Sequence, residues 1–228
     1  CAAMAADPVA ATVSLALPND MEMAESKALI DGMAAMADEY DLAIVGGDTT
    51  RWARPLAIDV AVLARPYDGV EPVTRAGARV GDILYVTGPL GGSRLGRHLD
   101  FVPRVRESLE LATRLGQRLH ALIDLSDGLS LDLWRVCRAS GVGATLDEAL
   151  LERVISDDAR RLAEQDGLTP IEHALQDGED FELLAAVEGR VAVSGVTLHE
   201  IGHVTETGLW IRQVNGGTDP LEPNGFVH

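Results

Sequence analysis

The chain has 228 residues, of which 24% are charged and 46% hydrophobic, proportions that exclude disorder, collagen and low-complexity classes and leave ample length for a core. Acidic residues number 36 against 19 basic, a formal net charge of −17, so nucleic acid and anionic membrane surfaces are poor partners. A phosphate-bearing ligand would need divalent cations to bridge it to so acidic a protein.

Cys1 and Cys137 cannot build a disulfide framework and lie in no CxxC motif, which suggests a reducing, cytoplasmic setting. No apolar stretch has bilayer-spanning length, and the opening residues lack the basic flank of a signal peptide. The chain begins at Cys1 inside an Ala/Met-rich, helix-like run without an initiator methionine, so it is expected to be a fragment of a longer protein.

Ala11 to Leu17 is an apolar run closed by Pro18 and Asn19, and Asp20 to Tyr40 carries Met23, Ile30, Met33, Ala37 and Tyr40 at helical spacing. Leu42 to Val45 reads as a buried strand stopping at Gly46-Gly47, and Leu56 to Ala64 alternates like a second strand. Arg65 to Gly81, rich in Gly and Pro, reads as a linker. Beyond it come a strand over Ile83 to Thr87, a glycine-rich turn over Gly88 to Gly92, and a helix over Val105 to His120. A strand over Ala121 to Leu125, a helix over Leu129 to Ala139 and a strand over Phe181 to Val187 follow. This order predicts two mixed units of comparable size, an α+β (α/β mixed) fold.

Three strings present oxygen ligands beside glycines. Ile44-Val45-Gly46-Gly47-Asp48-Thr49-Thr50 offers a carboxylate and hydroxyls where paired glycines admit a phosphate or metal, and it equally suits a tight turn with an Asx cap. Asp124-Leu125-Ser126-Asp127-Gly128 sits between a strand end and a helix start, where Asp124 and Asp127 could hold Mg²⁺ and free amides could receive phosphate, or where Ser126 or Asp127 could serve as a simple N-cap. Asp177-Gly178-Glu179-Asp180-Phe181-Glu182-Leu183 is a dense acidic turn, suited to a solvated loop, a cationic ligand or a metal. Neither the Walker A pattern nor GxGxxG is present. His199-Glu200-Ile201-Gly202-His203 matches the HExxH of zinc hydrolases, but that chemistry needs a helix, and the β-branched residues around the string point to a strand. Arg75 reads locally as an exposed linker charge or a phosphate contact.

In this order the strings resemble the thiamine-monophosphate kinases, of the superfamily that includes aminoimidazole ribonucleotide synthetase and selenophosphate synthetase. The resemblance rests on Gly46-Gly47-Asp48-Thr49-Thr50, Val73-Thr74-Arg75-Ala76-Gly77, Asp124-Leu125-Ser126-Asp127-Gly128, Gly178-Glu179-Asp180-Phe181-Glu182-Leu183 and the ending Gly225-Phe226-Val227-His228. It implies a two-domain, aminoimidazole ribonucleotide synthetase-like architecture. Residues 1–72 would be the remainder of a truncated nucleotide- and metal-binding, dimerising domain, and residues 73–228 the C-terminal domain. It implies ATP-dependent phosphorylation of thiamine monophosphate to thiamine diphosphate, the last step of thiamine diphosphate biosynthesis, by in-line transfer in a homodimer. ATP would be the co-substrate and several Mg²⁺ ions the cofactor. Gly47, Asp48, Arg75 and Ser126 would contact ATP, and Asp48, Asp124 and Asp127 would bind Mg²⁺. Asp48 and Asp127 would carry the metal-mediated catalysis, and Glu179 and Phe226 would hold the thiamine end. Because the family's upstream segment carries further Asp ligands, this chain alone is expected to be weak or inactive. The rival readings are a zinc hydrolase using His199, Glu200 and His203, and a non-catalytic ligand-binding module.

Overall fold

A computed structural model describes residues 1–225. Its contacts divide the chain into a smaller unit, Cys1 with Ala6–Tyr67, and a larger one, Ala2–Ala5 with the chain from Asp68 onward. The units are thus unequal rather than of comparable size.

In the smaller unit β1 (Ala6–Pro18) lies between β2 (Ala43–Trp52), which runs parallel to it, and β3 (Ala57–Pro66), which runs antiparallel. The parallel pairing requires a crossover, supplied by α1 (Met23–Glu39). Glu25 starts this helix by accepting the Glu22 amide at 2.9 Å, and Asp41, at φ +51°, turns the chain out of it. Two expectations fail here. The helix-like opening run is only a short 3₁₀ turn over Ala2–Met4 followed by strand from Ala6, because Val9, Thr12 and Val13 favour extended backbone. Pro8 is tolerated because β1 has only β3 beside it there, its pairing with β2 beginning at Ala10. Nor is β2 the buried strand expected to stop at the glycines, for Ile44 and Val45 are 44% and 64% exposed. It carries Gly46, Gly47, Asp48, Thr49 and Thr50 as strand residues, so this string is not a turn. Gly47 pairs with Val13 so closely that a Cβ would lie 1.8 Å from the Val13 carbonyl oxygen.

The larger unit is a seven-stranded sheet in the order β10-β9-β6-β8-β4-β7-β5. Its strands are β4 (Ile83–Val86), β5 (Leu119–Asp124), β6 (Gly143–Asp147), β7 (Leu183–Val187), β8 (His199–Thr205), β9 (Leu209–Arg212) and β10 (Thr218–Pro220). The helices are α2 (Val105–Leu115), α3 (Leu129–Ser140), α4 (Glu148–Leu151), α5 (Asp157–Asp166) and α6 (Pro170–Gln176). Alternate residues of one strand enter different cores. Leu84 and Val86 pack with Leu129, Leu133 and Val136 of α3, whereas Tyr85 packs with Leu111 and Leu115 of α2. Burial on both faces explains why the central strands read as continuous apolar runs. α2 ends at Leu115, short of the expected His120, where Gly116 at φ +52° breaks the helix ahead of β5. Among the described residues no helix is long and apolar enough to cross a membrane.

Leu133 is fully buried, so Leu133→Ala is expected to cost about 2–5 kcal/mol of unfolding free energy through the cavity it leaves. Urea unfolding followed by tryptophan fluorescence measures this; a loss under about 1 kcal/mol would show that the α3 face is not a packed core.

Candidate active site

β5 ends at Asp124, and the chain turns through residues 125–128 into α3, with Gly128 at φ +112°. The turn is built on a residue the sequence motif does not include. Asp132, completely buried in the first turns of α3, accepts the amides of Ser126 and Asp127 on Oδ2 at 3.1 and 3.0 Å. Burial raises its carboxyl above the ordinary range, opposed by the Asp127 amide and Arg135. Arg135 donates to Asp132 Oδ1 at 2.7 Å and also to Asp127 Oδ2, while Ser126 Oγ donates to Asp127 Oδ1 at 3.0 Å. Both oxygens of Asp127 are therefore engaged. The carboxylate of Asp124, by contrast, has no hydrogen bond or ion pair among the described residues.

The acidic string 177–182 lies against this turn and is not a solvated loop. Glu179 donates its amide to the Ser126 carbonyl at 2.7 Å, Phe181 donates to Leu125 at 2.9 Å, and Leu125 donates back to Glu182 at 2.8 Å. Asp180 is buried and receives the Gly91 amide at 2.9 Å, Ser93 Oγ at 2.6 Å and Arg97 Nη2 at 2.6 Å. Asp177 accepts the Gly92 amide at 2.7 Å and contacts His173 Nδ1 at 2.9 Å. Glu182, also buried, is held by Thr87 Oγ1 at 2.6 Å and by both Arg104 Nε at 2.9 Å and Nη2 at 2.6 Å. Glu179 alone of these acids has an uncommitted side chain among the described residues, and it sits at φ +53°. Phe181, at φ +51°, stacks on Phe101 with ring centroids 4.2 Å apart, which delays the start of β7 to Leu183. Two non-glycine residues in the left-handed region, flanking one buried carboxylate, mark a loop held in its shape by its surroundings.

Arg75 is exposed and unpaired among the described residues, on a segment pinned at both sides. Leu122 donates its amide to Thr74, and Gly77 donates to Ser140 Oγ at 3.0 Å. In the smaller unit Asp48 is exposed on β2; it pairs with Ser14, whose other neighbour is Asp59 of β3, so the three share one face. Phe226 lies outside the described residues, but the tail leading to it is placed: Ser130 Oγ donates to the Asn224 carbonyl, and a Cβ on Gly225 would meet the Asp127 carbonyl at 2.4 Å.

The HExxH string forms β8, as its β-branched surroundings predict. His199 pairs with Val86 and His203 with Ile83, so the histidines stand about 13 Å apart along the strand. Glu200 is paired with Arg190 at 2.8 and 2.9 Å. These residues cannot share one zinc ion. Among the described residues no three His, Cys, Asp or Glu side chains converge as metal ligands.

A family model described as "AIR synthase related protein, N-terminal domain" matches residues 1–65. The thiamine-monophosphate kinase of Rhodopirellula baltica is 44% identical across the whole chain, which spans 72% of that relative. The chain belongs to the thiamine-monophosphate kinase family. The Escherichia coli K12 member is 35% identical over 82% of this chain, covering 60% of its own length. The thiamine monophosphate kinase structure from Aquifex aeolicus superposes with a TM-score of 0.80 at 27% identity, covering 97% of this chain and 78% of that one. A structure described as AaThiL complexed with AMPPCP and TMP matches at TM-score 0.78 and 28% identity, over 98% of this chain and 74% of that one. The two-domain α+β architecture expected for this family is the one observed.

Reading the sequence missed Asp132, Arg135, Ser93, Arg97 and Arg104. One signal was available: Asp132 falls on the apolar stripe of α3 between Leu129, Leu133 and Val136, where a carboxylate must be satisfied internally. The partners of Asp180 and Glu182 lie more than seventy positions away in sequence and left no local trace.

Burial pushes the Asp180 carboxyl up to about 6, against the pull of Ser93, the Gly91 amide and Arg97. Above the unfolded value the folded protein holds a proton that the unfolded chain has lost, so this contribution to stability is lost as pH rises through about 6. Wild type is therefore expected to lose about 1 kcal/mol from this group between pH 5 and pH 7, and the Asp180→Asn variant to lack that loss. Paired urea titrations at the two pH values measure the difference; identical pH dependence in both proteins would contradict it.

Proposed function

We propose that the chain transfers the γ-phosphoryl group of ATP to thiamine monophosphate. The observation that carries this reading is how the acids divide. Asp132, Asp177, Asp180 and Glu182 are consumed in fixing the two loops, whereas Asp124 and Glu179 keep open carboxylates on loops joined by the Glu179 amide to Ser126 carbonyl bond. Support comes from the relatives, named thiamine-monophosphate kinases, and from the AMPPCP and TMP in the AaThiL complex.

In the reaction a phosphate oxygen of thiamine monophosphate attacks the γ-phosphorus of ATP in line, the bond to the bridging oxygen breaks, and ADP leaves with no phosphoenzyme. The oxygen donors Asp48, Asp124 and Asp127 are of the hard class that suits Mg²⁺, and Asp124 has a carboxylate to spare. Magnesium would neutralise the charge developing on the phosphoryl oxygens. Arg75 presents an uncommitted guanidinium for ATP phosphates, and Gly47 and Ser126 contribute close backbone and a hydroxyl. Ser126 Oγ also orients Asp127 through its Oδ1. Glu179 offers negative charge to the thiazolium cation, and Phe226, next after a tail seated on Asp127, offers an aromatic face.

A homodimer is part of this proposal. Ile44, Ile58, Val60 and Val62, on one face of the smaller unit's sheet, are 44%, 46%, 52% and 43% exposed, and a second copy of the chain would remove them from water. The unbridged cysteines, Cys1 exposed and Cys137 buried, support a cytoplasmic setting.

Chromatographic measurement of thiamine diphosphate formed from thiamine monophosphate, ATP and Mg²⁺ tests the reading. Asp127→Asn is expected to lower kcat by about 10² or more, Glu179→Gln to raise KM for thiamine monophosphate about tenfold with KM for ATP unchanged, and His199→Ala to leave turnover intact. Ligand binding without turnover in a form joined to the family's upstream segment, under conditions where a full-length family member is active, would favour the binding-module reading.

A further inference from the structure

Arg135 has no part in the reaction derived above, yet its guanidinium lies across two carboxylates of the site. Nη1 donates to Asp132 Oδ1 at 2.7 Å and Nη2 to Asp127 Oδ2. The two acids differ in what else binds them. Asp132 has a side chain 1% exposed, and its other oxygen holds the Ser126 and Asp127 amides at 3.1 and 3.0 Å, so it is a fixed post. The Asp127 side chain is 17% exposed and that of Arg135 32%, so this end of the fork reaches water. A planar guanidinium with five donors can release one carboxylate and stay bound to the other, which a lysine ammonium does less well.

Resting on the assignment of Asp127 as a magnesium ligand, we propose that Arg135 is an internal counter-ion that competes with the divalent cation for Asp127. Without metal, Arg135 neutralises Asp127 beside the buried Asp132. When a cation takes Oδ2, Arg135 lets go of Asp127 and remains anchored on Asp132. Metal affinity in the nucleotide-free protein is thereby held down, since each binding event breaks a charge-assisted hydrogen bond.

The test is titration of nucleotide-free protein with Mn²⁺, free ion being followed by electron paramagnetic resonance. Arg135→Gln, which keeps a donor for Asp132, is expected to bind Mn²⁺ about tenfold more tightly than wild type, and Arg135→Lys less than that. Binding weakened by Asp127→Asn but unchanged or weakened in Arg135→Gln would overturn the competition and leave the metal assignment standing. Binding indifferent to both Asp127→Asn and Asp124→Asn would overturn the metal assignment itself. Wild-type protein gives an independent readout if Arg135→Gln fails to fold. The Arg135 side-chain ¹⁵N resonance should move on Mg²⁺ addition in wild type and stay still in Asp127→Asn, and a resonance unmoved in wild type would overturn the proposal.

Discussion

The buried carboxylate of Asp180 is the constraint on which the rest of the site depends. A charge so enclosed costs several kcal/mol unless it is matched by hydrogen bonds and an opposite charge, and here the Gly91 amide, Ser93 and Arg97 supply both but offset the burial only in part, leaving the carboxyl at about 6. The turn that donates the Gly91 amide is itself tightly packed: Gly91 and Gly92 take φ of +80° and +75°, and a Cβ on them would meet the Ala174 nitrogen of α6 at 2.7 Å and the Ala159 nitrogen of α5 at 2.4 Å. Gly88 lies directly against the acidic loop, since a Cβ there would stand 2.4 Å from Glu182 Oε1. The glycine-rich turn is therefore a platform for the acids of the facing loop, and no phosphate cradle of the Walker kind.

With Asp180 fixed, the amides of Glu179 and Phe181 reach the carbonyls of Ser126 and Leu125, and two loops distant in sequence become one piece. The strain of left-handed Glu179 and Phe181 is borne by this framework. Its consequence is orientation: the side chain of Glu179 is directed by a backbone that cannot relax to an extended conformation without breaking the Asp180 network.

Much of this was legible in the residues. Apolar spacing located α1 and α3, alternation located β3, and β-branched composition kept the HExxH string in a strand. What failed had specific physical causes. Gly46-Gly47 looks like a stop because glycine usually punctuates, yet in β2 it answers to close pairing with Val13, a tertiary demand with no local signature. The acidic string looks solvated because burial of Asp180 and Glu182 depends on Arg97 and Arg104, whose involvement only the folded sheet determines. Local pattern identifies which residue types are present; long-range pairing decides which of them remain available for chemistry.

That distinction bears on how a chain of net charge −17 would accommodate the two phosphate-bearing substrates proposed for it. Arg97, Arg104 and Arg135 are each committed to a carboxylate, so none is free to neutralise incoming phosphate at no cost. The cation left open on the pinned 74–77 segment is Arg75, and the acids left open on the paired loops are Asp124 and Glu179. A phosphate group meeting Asp124 directly would be repelled, and one meeting it through a divalent ion would be held. With these arginines committed to architecture, the proposed reaction would draw its charge balance from Arg75, backbone amides and a divalent cation.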